Sequence, residues 1–439
     1  MNSQKLYSLK PYLLLLAIPL FIIAFLGGGL YLSAQGVDNA FYQISPAVAI
    51  IPALIWALLF ASGPFATRLQ QVLTGMGNQT LLAMCMIYIF AGAFGVVTQA
   101  VGCIDDLIHF IMSLLPAQAL LPSLFILSAS IGFAMGSSMG VVAAVTPIGI
   151  GLANATGVDI PLVLGIVIGG AMFGDNLSMI SDTTLAATQT QKAKVRQKFI
   201  LNAPIALVAA SLYLIMLSTF QPATVAVPSL NYHAIKLIPY LAVIIFALAG
   251  MNVFLVLGLG TLVAGIIGII EPSDYTLIQF SQDIYRGFAS MNEIMVLSLL
   301  LGGLVGLIQS QGGFAPILNS LDKINTEKKH TRTYIALSIA LVISLVTAAV
   351  ANNVISILII GTIVEKMAKK SGLSPARSAT LLSIFSCAAQ GLLPHGAQVL
   401  LASRLSQVSP LAVISHVGYC YILAGVGVIY ILIRSRTKY

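Results

Sequence analysis

Charged residues are scarce in this sequence, with Asp, Glu, Lys and Arg together making up only 8% of 439 residues. A soluble globular domain carries roughly 25% charged residues, so a soluble fold of this composition would lack the polar surface needed to cover its core. Hydrophobic residues make up 58% of the chain, and the mean hydropathy is +0.99. Apolar runs long enough to cross about 30 Å of hydrocarbon recur along the sequence. The composition therefore predicts an all-α polytopic membrane protein.

Several motifs that would indicate other classes of protein are absent. The four cysteines stand singly in apolar segments, without the spacing of metal ligands or of a disulfide framework. The sequence contains no Walker motif, dinucleotide fingerprint or nucleophile constellation. The net charge of +8 comes from Lys and Arg in short connections, where such residues set membrane orientation. We therefore expect no enzyme activity, no cofactor and no nucleic-acid partner, and the lipid bilayer as the surroundings.

The apolar stretches are of two kinds. Eight have the length of a single crossing and lie near 11–33, 44–63, 80–101, 199–219, 233–250, 252–271, 290–311 and 409–433. Four others are longer or are interrupted by glycine and polar residues; we predict re-entrant helical hairpins at 118–156 and 334–369 and interrupted helices at 160–190 and 376–404. From a cytoplasmic N-terminus this gives ten crossings, a cytoplasmic C-terminus and 18 of 21 Lys and Arg on the cytoplasmic side. We expect the cell inner membrane as the location.

The two halves of the chain resemble each other at a nearly constant offset. Ser137-Ser138 aligns with Asn352-Asn353 at an offset of 215 residues, and Gly92 aligns with Gly302 at an offset of 210. We predict an inverted repeat, with residues 1–220 and 221–439 each forming five crossings and one hairpin. In such carriers the discontinuous helices meet at mid-membrane, and the binding site lies at the interface of the repeats.

The most informative segment runs from Gly174 to Thr184 and places two carboxylates in an otherwise apolar crossing. Carboxylates inside a membrane are costly and usually mark an ion or substrate path. In a regular helix Asp175 and Asp182 would be about 10 Å apart along the axis, so sharing one small ion requires unwinding. Five residues of this segment are candidates for binding an ion or substrate, namely Asp175, Asn176, Ser178, Asp182 and Thr183. Asp175 and Asp182 are the candidate sodium ligands, and the alternative for Asp182 is a cap of the helix that follows.

Further candidates lie at the hairpin tips and in the second interrupted helix. Ser137, Ser138, Asn352 and Asn353 carry oxygen atoms or amides suited to a hard cation or to a carboxylate; the alternative is that they satisfy the backbone of the turn. Gln390 and His395 offer polar contacts next to helix-breaking residues, although a lone buried histidine is also a common core residue. The basic runs 192–198 and 323–332 are interpreted as cytoplasmic orientation signals.

The segment Gly-Asp-Asn-Leu-Ser-Met-Ile-Ser-Asp-Thr-Thr at 174–184, preceded by Gly-Ser-Ser-Met-Gly at 136–140, resembles the NhaC family of sodium/proton antiporters in the ion transporter superfamily. The resemblance covers most of the chain and implies an inverted-repeat carrier, often a homodimer, that exchanges sodium for protons. Some relatives exchange organic acids or are suspected amino-acid carriers. The chain departs from the pattern at Asn176, where many antiporters have Lys, and at Met179-Ile180, where they have Pro-Leu. These departures leave an organic substrate open.

The function that these observations predict is sodium/proton antiport by alternating access, with sodium and protons as partners. Proton binding at Asp175 would compete with sodium and thereby couple the two fluxes. The alternative is a sodium- or proton-coupled carrier of a small organic anion or amino acid. A passive channel is a further reading, against which the two interrupted helices and paired hairpins argue.

Overall fold

The computed structural model describes residues 10–37, 40–220, 232–271, 275–317, 319 and 332–434, and every regular element in these ranges is helical. Within them, nine helical segments are long and apolar enough to cross a membrane, and three shorter helices are also apolar. The predicted all-α, multi-pass class is therefore confirmed.

The described part of the first half contains ten helices of ten residues or more, besides a single turn at Ala40–Gln43. They are α1 (Lys10–Ala34), α2 (Pro46–Phe60), α3 (Phe65–Met76), α4 (Gln79–Val101), α5 (Cys103–Leu114), α6 (Ala117–Met135), α7 (Ser138–Thr156), α8 (Ile160–Leu177), α9 (Asp182–Gln191) and α10 (Val195–Ser218). The described part of the second half adds α11 (Ala234–Leu248), α12 (Val253–Ile270), α13 (Leu277–Ser290), α14 (Asn292–Ser310), α15 (Arg332–Val350), α16 (Asn353–Ser371), α17 (Pro375–Gly391), α18 (Ala397–Ser406), α19 (Pro410–Ile414) and α20 (Gly418–Arg434).

The helices pack into two compact units. One comprises Met1–Met86 and Met291–Lys328, and the other comprises Ile87–Ser290 and Lys329–Tyr439. In the first unit α3 packs closely on α14, where Gly75 lies against the backbone of Gly302. The second unit contains all the predicted site residues. These units are defined by packing, whereas the predicted repeat boundary at 220/221 is defined by sequence similarity, so the two divisions are independent.

Three helices were not predicted as separate elements, namely α3, α5 and α13. Each has polar residues along one face, so a search for uniformly apolar runs passes over it. The last predicted span, 409–433, consists of the short helix α19 and the longer α20. Both predicted hairpin segments are pairs of 19-residue helices, and both interrupted segments are broken inside the predicted ranges.

The bounds of these helices recur along the chain. Helices α15, α16 and α18 begin and end 215 residues after α6, α7 and α9, and α17 begins 215 residues after α8. Left-handed residues show the same spacing, in the pairs Gly136 and Ala351, Gly157 and Gly372, and Lys192 and Gln407. The N-caps also agree, since Ser137 has φ −140° and ψ 107° and Asn352 has φ −146° and ψ 115°. The segment from α6 to α9 and the segment from α15 to α18 therefore have the same order of helices, turns and breaks.

Close helix packing positions the first interrupted helix. A Cβ on Gly174 would lie 2.5 Å from backbone atoms of Gly132 on α6, and a Cβ on Gly170 would lie 2.6 Å from Cβ of Ser128. Only glycine permits such a short separation between α6 and α8. Because Gly174 directly precedes Asp175, this contact fixes the height of the carboxylate within the unit.

Candidate functional site

Helix α8 ends at Leu177, and four residues separate it from α9. Ser178 leaves the helical conformation (φ −59°, ψ 136°), and its N–H makes a last helical bond to Gly174 O at 2.8 Å. Ser181 caps α9, since its Oγ accepts a hydrogen bond from Thr184 N at 3.2 Å. The Ser181 hydroxyl also donates to Asp175 O at 2.7 Å, and the Thr184 hydroxyl donates to Ser178 O at 2.8 Å. Hydroxyl groups therefore satisfy carbonyls that the break leaves without helical partners.

Asp175 lies at the centre of a buried hydrogen-bond network. Its side chain is 4% exposed. Ser138 Oγ, at the start of α7, donates to Asp175 Oδ2 at 3.1 Å, and Thr183 Oγ1, in the first turn of α9, donates to Oδ1 at 3.0 Å. A hairpin tip and the second half-helix thus each supply one hydroxyl to the carboxylate.

The network continues into the second interrupted helix. Gln398 Nε2 donates to Ser138 Oγ at 3.1 Å, and Gln390 Nε2 donates to Gln398 Oε1 at 3.0 Å and to Ala351 O at 3.0 Å. Both hairpin turns and both helix breaks are thereby joined. We call Asp175, Ser138, Thr183, Gln398 and Gln390 the carboxylate network.

Two of the buried oxygen atoms without a partner among the described residues are close in sequence to the second hairpin turn and the second helix break. They are Gln390 Oε1 and Thr347 Oγ1, the latter on a fully buried side chain in the last turn of α15. Buried polar atoms are normally hydrogen-bonded. These two oxygens are therefore available to a bound ion or to a donor group of a substrate.

The Asp175 carboxylate is not part of an ion pair in the described part of the chain, where the four ion pairs within 4.0 Å involve other residues. The buried Lys198 acts on Asp175 electrostatically, but from beyond 4.0 Å. A buried carboxylate without a direct counter-charge is costly, and a proton or a bound cation would neutralise it. No group of three His, Cys, Asp or Glu suited to a metal occurs in the described ranges. A cation at this position would therefore bind one carboxylate together with hydroxyl and carbonyl oxygens, which are ligands that hard cations accept.

A second buried network surrounds Asn176, the neighbour of Asp175 on α8. Lys198 Nζ donates to Asn176 O at 2.7 Å and to Thr184 Oγ1 at 2.9 Å. Asn202 Nδ2 donates to Asn176 O at 2.7 Å and to Oδ1 at 3.0 Å, and Ser383 Oγ donates to the same Oδ1 at 2.9 Å. We call these residues the lysine network. It joins both ends of the α8–α9 break to α10.

Lys198 has a structural role that the interpretation of its run as an orientation signal did not predict. Lys194 and Arg196, in the same basic run, are exposed, and Lys192 pairs with Glu365 at 2.8 Å. Lys198 by contrast is 1% exposed and reaches the helix break. The reason is its position on the inner face of α10, one turn before Asn202.

Asp182 makes no hydrogen bond to the carboxylate network, although its charge acts on Asp175. It is the first residue of α9, it is exposed, and its carboxylate makes no hydrogen bond to the described residues. The capping role considered for Asp182 belongs to Ser181, and the helix begins at Asp182 rather than at Thr183. Ser178 is buried and contributes its carbonyl to Thr184 Oγ1.

The hairpin-tip residues divide into caps and inward-facing groups. Ser137 Oγ accepts from Gly140 N at 3.3 Å, and Asn352 Oδ1 accepts from Ile355 N at 3.0 Å, so both cap a helix. Ser138 reaches Asp175, as described above. Its counterpart Asn353 is buried, with Nδ2 3.9 Å from the sulfur of Cys387.

His395 follows the break after α17 and is 5% exposed. Its Nε2 lies 2.9 Å from Ala348 O in α15. His395 therefore links the second break to the second hairpin, and no described hydrogen bond joins it to Asp175.

Sequence reasoning missed Lys198, Asn202 and Ser383 as site residues. Lys198 and Asn202 are four residues apart at the start of a long apolar helix, a spacing that places both on one helix face. That spacing was the available signal. Ser383 lies within α17 among small residues, and nothing in its local sequence distinguishes it.

Comparisons with known proteins identify the family of this chain. A model of the Na+/H+ antiporter family matches residues 8–221 and 226–433. The chain is 25% identical over 246 residues to a malate-2H(+)/Na(+)-lactate antiporter of Bacillus subtilis, an alignment covering 52% of each protein. It is 32% identical over 131 residues to the Na(+)/H(+) antiporter NhaC of the same organism, covering 29% of this chain and 28% of that protein. The chain thus spans about half the length of the first relative and less of the second.

Among solved structures, the YdaH transporter of Alcanivorax borkumensis is similar at a TM-score of 0.44 and 11% sequence identity, covering 84% of this chain and 87% of that one. The family match extends over nearly all of the sequence, including every residue of both networks. The chain is therefore a multi-pass helical membrane protein that belongs to the Na+/H+ antiporter family.

Proposed function

We propose that this chain exchanges sodium for protons by alternating access, with Asp175 as the group for which the two cations compete. The observation that carries the proposal is the environment of this carboxylate. It is 4% exposed, it has no cationic partner within 4.0 Å among the described residues, and each of its oxygens faces a hydroxyl group. Such a carboxylate is stable when it carries a proton or a sodium ion, and costly when it carries neither.

The hydroxyl groups allow both states. In the ion-free arrangement the Ser138 and Thr183 hydroxyls donate to the carboxylate. Because a hydroxyl carries lone pairs as well as a hydrogen, rotation about its C–O bond turns each of them into an acceptor toward a cation. Sodium would then be held by Asp175, Ser138 and Thr183, with Gln390 Oε1 and Thr347 Oγ1 as further oxygen donors.

Alternating access follows from the proposed repeat. The shared offset of 215 residues between helix bounds, and the junction of the two family-matched segments between 221 and 226, support two halves divided near 220. We propose that the halves are inverted, that both hairpins are re-entrant, and that the breaks in α8–α9 and α17–α18 lie at mid-membrane. The carboxylate network, which joins both breaks, is then the part that two rocking halves expose in turn to opposite sides.

The membrane setting belongs to the same proposal. We propose that the carrier lies in the cell inner membrane with both termini in the cytoplasm, which the Lys- and Arg-rich connections support. The proposed assembly is a homodimer, as the family resemblance implies.

The test uses purified protein in proteoliposomes that contain a trapped pH dye. Sodium, lithium or potassium is added outside, and the internal pH is followed for protein-containing and empty vesicles. Sodium-dependent proton movement that saturates with sodium concentration supports the antiporter. If protein that unfolds cooperatively on heating shows no proton movement with any cation, the antiporter is contradicted. A flux that never saturates would indicate a channel.

A second candidate is sodium-coupled exchange of small organic acids. The observation that favours it is the similarity to a malate-2H(+)/Na(+)-lactate antiporter over 52% of the chain. In this case Asn353 and His395 would bind the carboxylate or hydroxyl of the acid, while Asp175 keeps the cation. Uptake of labelled lactate or malate into sodium-loaded proteoliposomes, absent in sodium-free ones, would support this candidate.

A further inference from the structure

Two arginines lie over one tyrosine at an end of the second unit, and the charge of a third arginine acts on one of them. Arg332 begins α15, Arg377 lies in the first turn of α17, and Arg434 ends α20. The guanidinium carbons of Arg377 and Arg434 lie 5.8 Å and 5.4 Å from the centre of the Tyr430 ring. Arg434 Nη1 donates to the Tyr430 hydroxyl at 2.9 Å, and Arg332 Nε donates to Ser371 O at 3.2 Å. We call Arg332, Arg377, Arg434 and Tyr430 the arginine cluster.

The positive charge of Arg377 is not balanced by a carboxylate of the described residues. Arg332 and Arg434 both repel Arg377 electrostatically, and the described groups that act on its charge include no Asp or Glu. Neither Arg332 nor Arg377 forms an ion pair in the described ranges. Arg377 is half-buried, and its Nε is buried without a hydrogen-bond partner among the described residues. A guanidinium N–H in such a position normally has an acceptor, and the clustered positive charge favours an anionic one.

The surroundings of the cluster indicate which anion. The outer face of α20 beside Arg434 carries the exposed apolar side chains Ile429, Leu432 and Ile433. In a membrane protein an exposed apolar face contacts acyl chains, whereas tyrosine and arginine at a helix end contact headgroups. The cluster thus offers a charged pocket directly beside an acyl-chain surface. A free phosphate ion would contact only the charged pocket and not the acyl-chain surface.

We propose that the arginine cluster binds the phosphate group of an anionic phospholipid. Guanidinium groups bind phosphate through paired, parallel hydrogen bonds, and Arg377 supplies a half-buried guanidinium that forms no ion pair with the described residues. Lys369 and Lys370, exposed in the last turn of α16 just before Ser371, add to the positive potential. The bound lipid holds together α15, α17 and α20, two of which carry or adjoin parts of the carboxylate network.

The experiment counts bound lipids on the purified full-length protein by native mass spectrometry. The protein in mild detergent is titrated with phosphatidylglycerol, with phosphatidylcholine and with inorganic phosphate. We expect tighter binding of phosphatidylglycerol than of phosphatidylcholine. In Arg332→Gln/Arg377→Gln the dissociation constant for phosphatidylglycerol should rise by about tenfold or more, as loss of charge-assisted hydrogen bonds implies.

The matched control is Lys194→Gln/Arg196→Gln, which removes the same charge from exposed positions and should change the constant by no more than about twofold. Arg377→Lys, which keeps the charge but not the paired geometry, should be intermediate, and it tests the proposal if the double variant fails to fold. An unchanged affinity in the cluster variants, or an equal loss in the control, overturns the proposal. Displacement of the lipid by inorganic phosphate at equal concentration overturns the lipid assignment in favour of a free anion.

Discussion

Replacing Asp175 by Asn removes one negative charge from the carboxylate network and almost no volume. The carboxylate accepts one hydrogen bond from Ser138 and one from Thr183. An amide offers one acceptor oxygen, so one of the two hydroxyls must rotate to accept from the new NH₂ group. Rearranging one such bond costs about 1 kcal/mol. The variant should therefore fold.

The effect on sodium should be much larger than the effect on folding. Two unit charges 4 Å apart interact with about 4 kcal/mol at the effective dielectric constant of about 20 that suits protein sites. Losing that attraction weakens binding by about a thousandfold. Sodium would contact the carboxylate at a shorter distance than this, so the figure is a lower bound.

The assay is uptake of radioactive sodium into proteoliposomes, driven by an outward proton gradient, over a range of sodium concentrations. Asp159→Asn serves as the matched control, since it is the same substitution on an exposed residue at the opposite end of α8. We expect wild-type uptake from the control and no saturable uptake from Asp175→Asn. If Asp175→Asn reaches half-maximal uptake within about tenfold of the wild-type sodium concentration, Asp175 does not supply the charge that binds sodium, and the reasoning fails.

Three further substitutions test other parts of the account. Thr183→Ala should raise the half-saturating sodium concentration by about tenfold, because it removes the hydroxyl that donates to the Asp175 carboxylate. In the same uptake assay the control Ser123→Ala, which removes a hydroxyl bonded to Leu120 O, should leave this concentration unchanged. Lys198→Ala should lower the unfolding free energy by about 2 kcal/mol, since it removes a buried charged donor from Asn176 and Thr184. Chemical denaturation measures this, with Lys194→Ala at an exposed position as the control, and equal losses in the two variants would contradict a structural role for Lys198. Gly174→Ala should lower the unfolding free energy by about 1–3 kcal/mol and reduce sodium uptake, because the new Cβ meets the α6 backbone. The control Gly425→Ala, whose Cβ would have no atom within 4 Å, should change neither quantity. If Gly174→Ala also changes neither, the role of this contact is refuted.

Much of the membrane architecture could be predicted because it depends on local composition. The apolar runs, the glycine turn at Gly136 and the polar segment after Gly174 each determine a helix, a turn or a break within a few residues. The breaks occur there because serine and asparagine side chains offer the backbone an alternative to helical bonds. The amphipathic helices α3, α5 and α13 were missed because their polar residues hide them from a search for apolar runs.

The candidate site could be predicted only in part. Asp175, Ser138 and Thr183 are distinctive in the sequence, and the structure brings them together. The lysine network could not be predicted, because it depends on the packing of α10 and α17 against α8, which no local pattern encodes. Asp182 illustrates the same limit, since its chemistry suits an ion ligand while its position on α9 turns it outward.

The central claim is that sodium and a proton compete for Asp175. The most direct measurement adds sodium to purified protein in weakly buffered detergent solution and records the protons released. The account predicts saturable proton release in the wild type, which diminishes as the starting pH rises and is absent in Asp175→Asn. Sodium binding without proton release at any pH, or release that persists in Asp175→Asn, would contradict it.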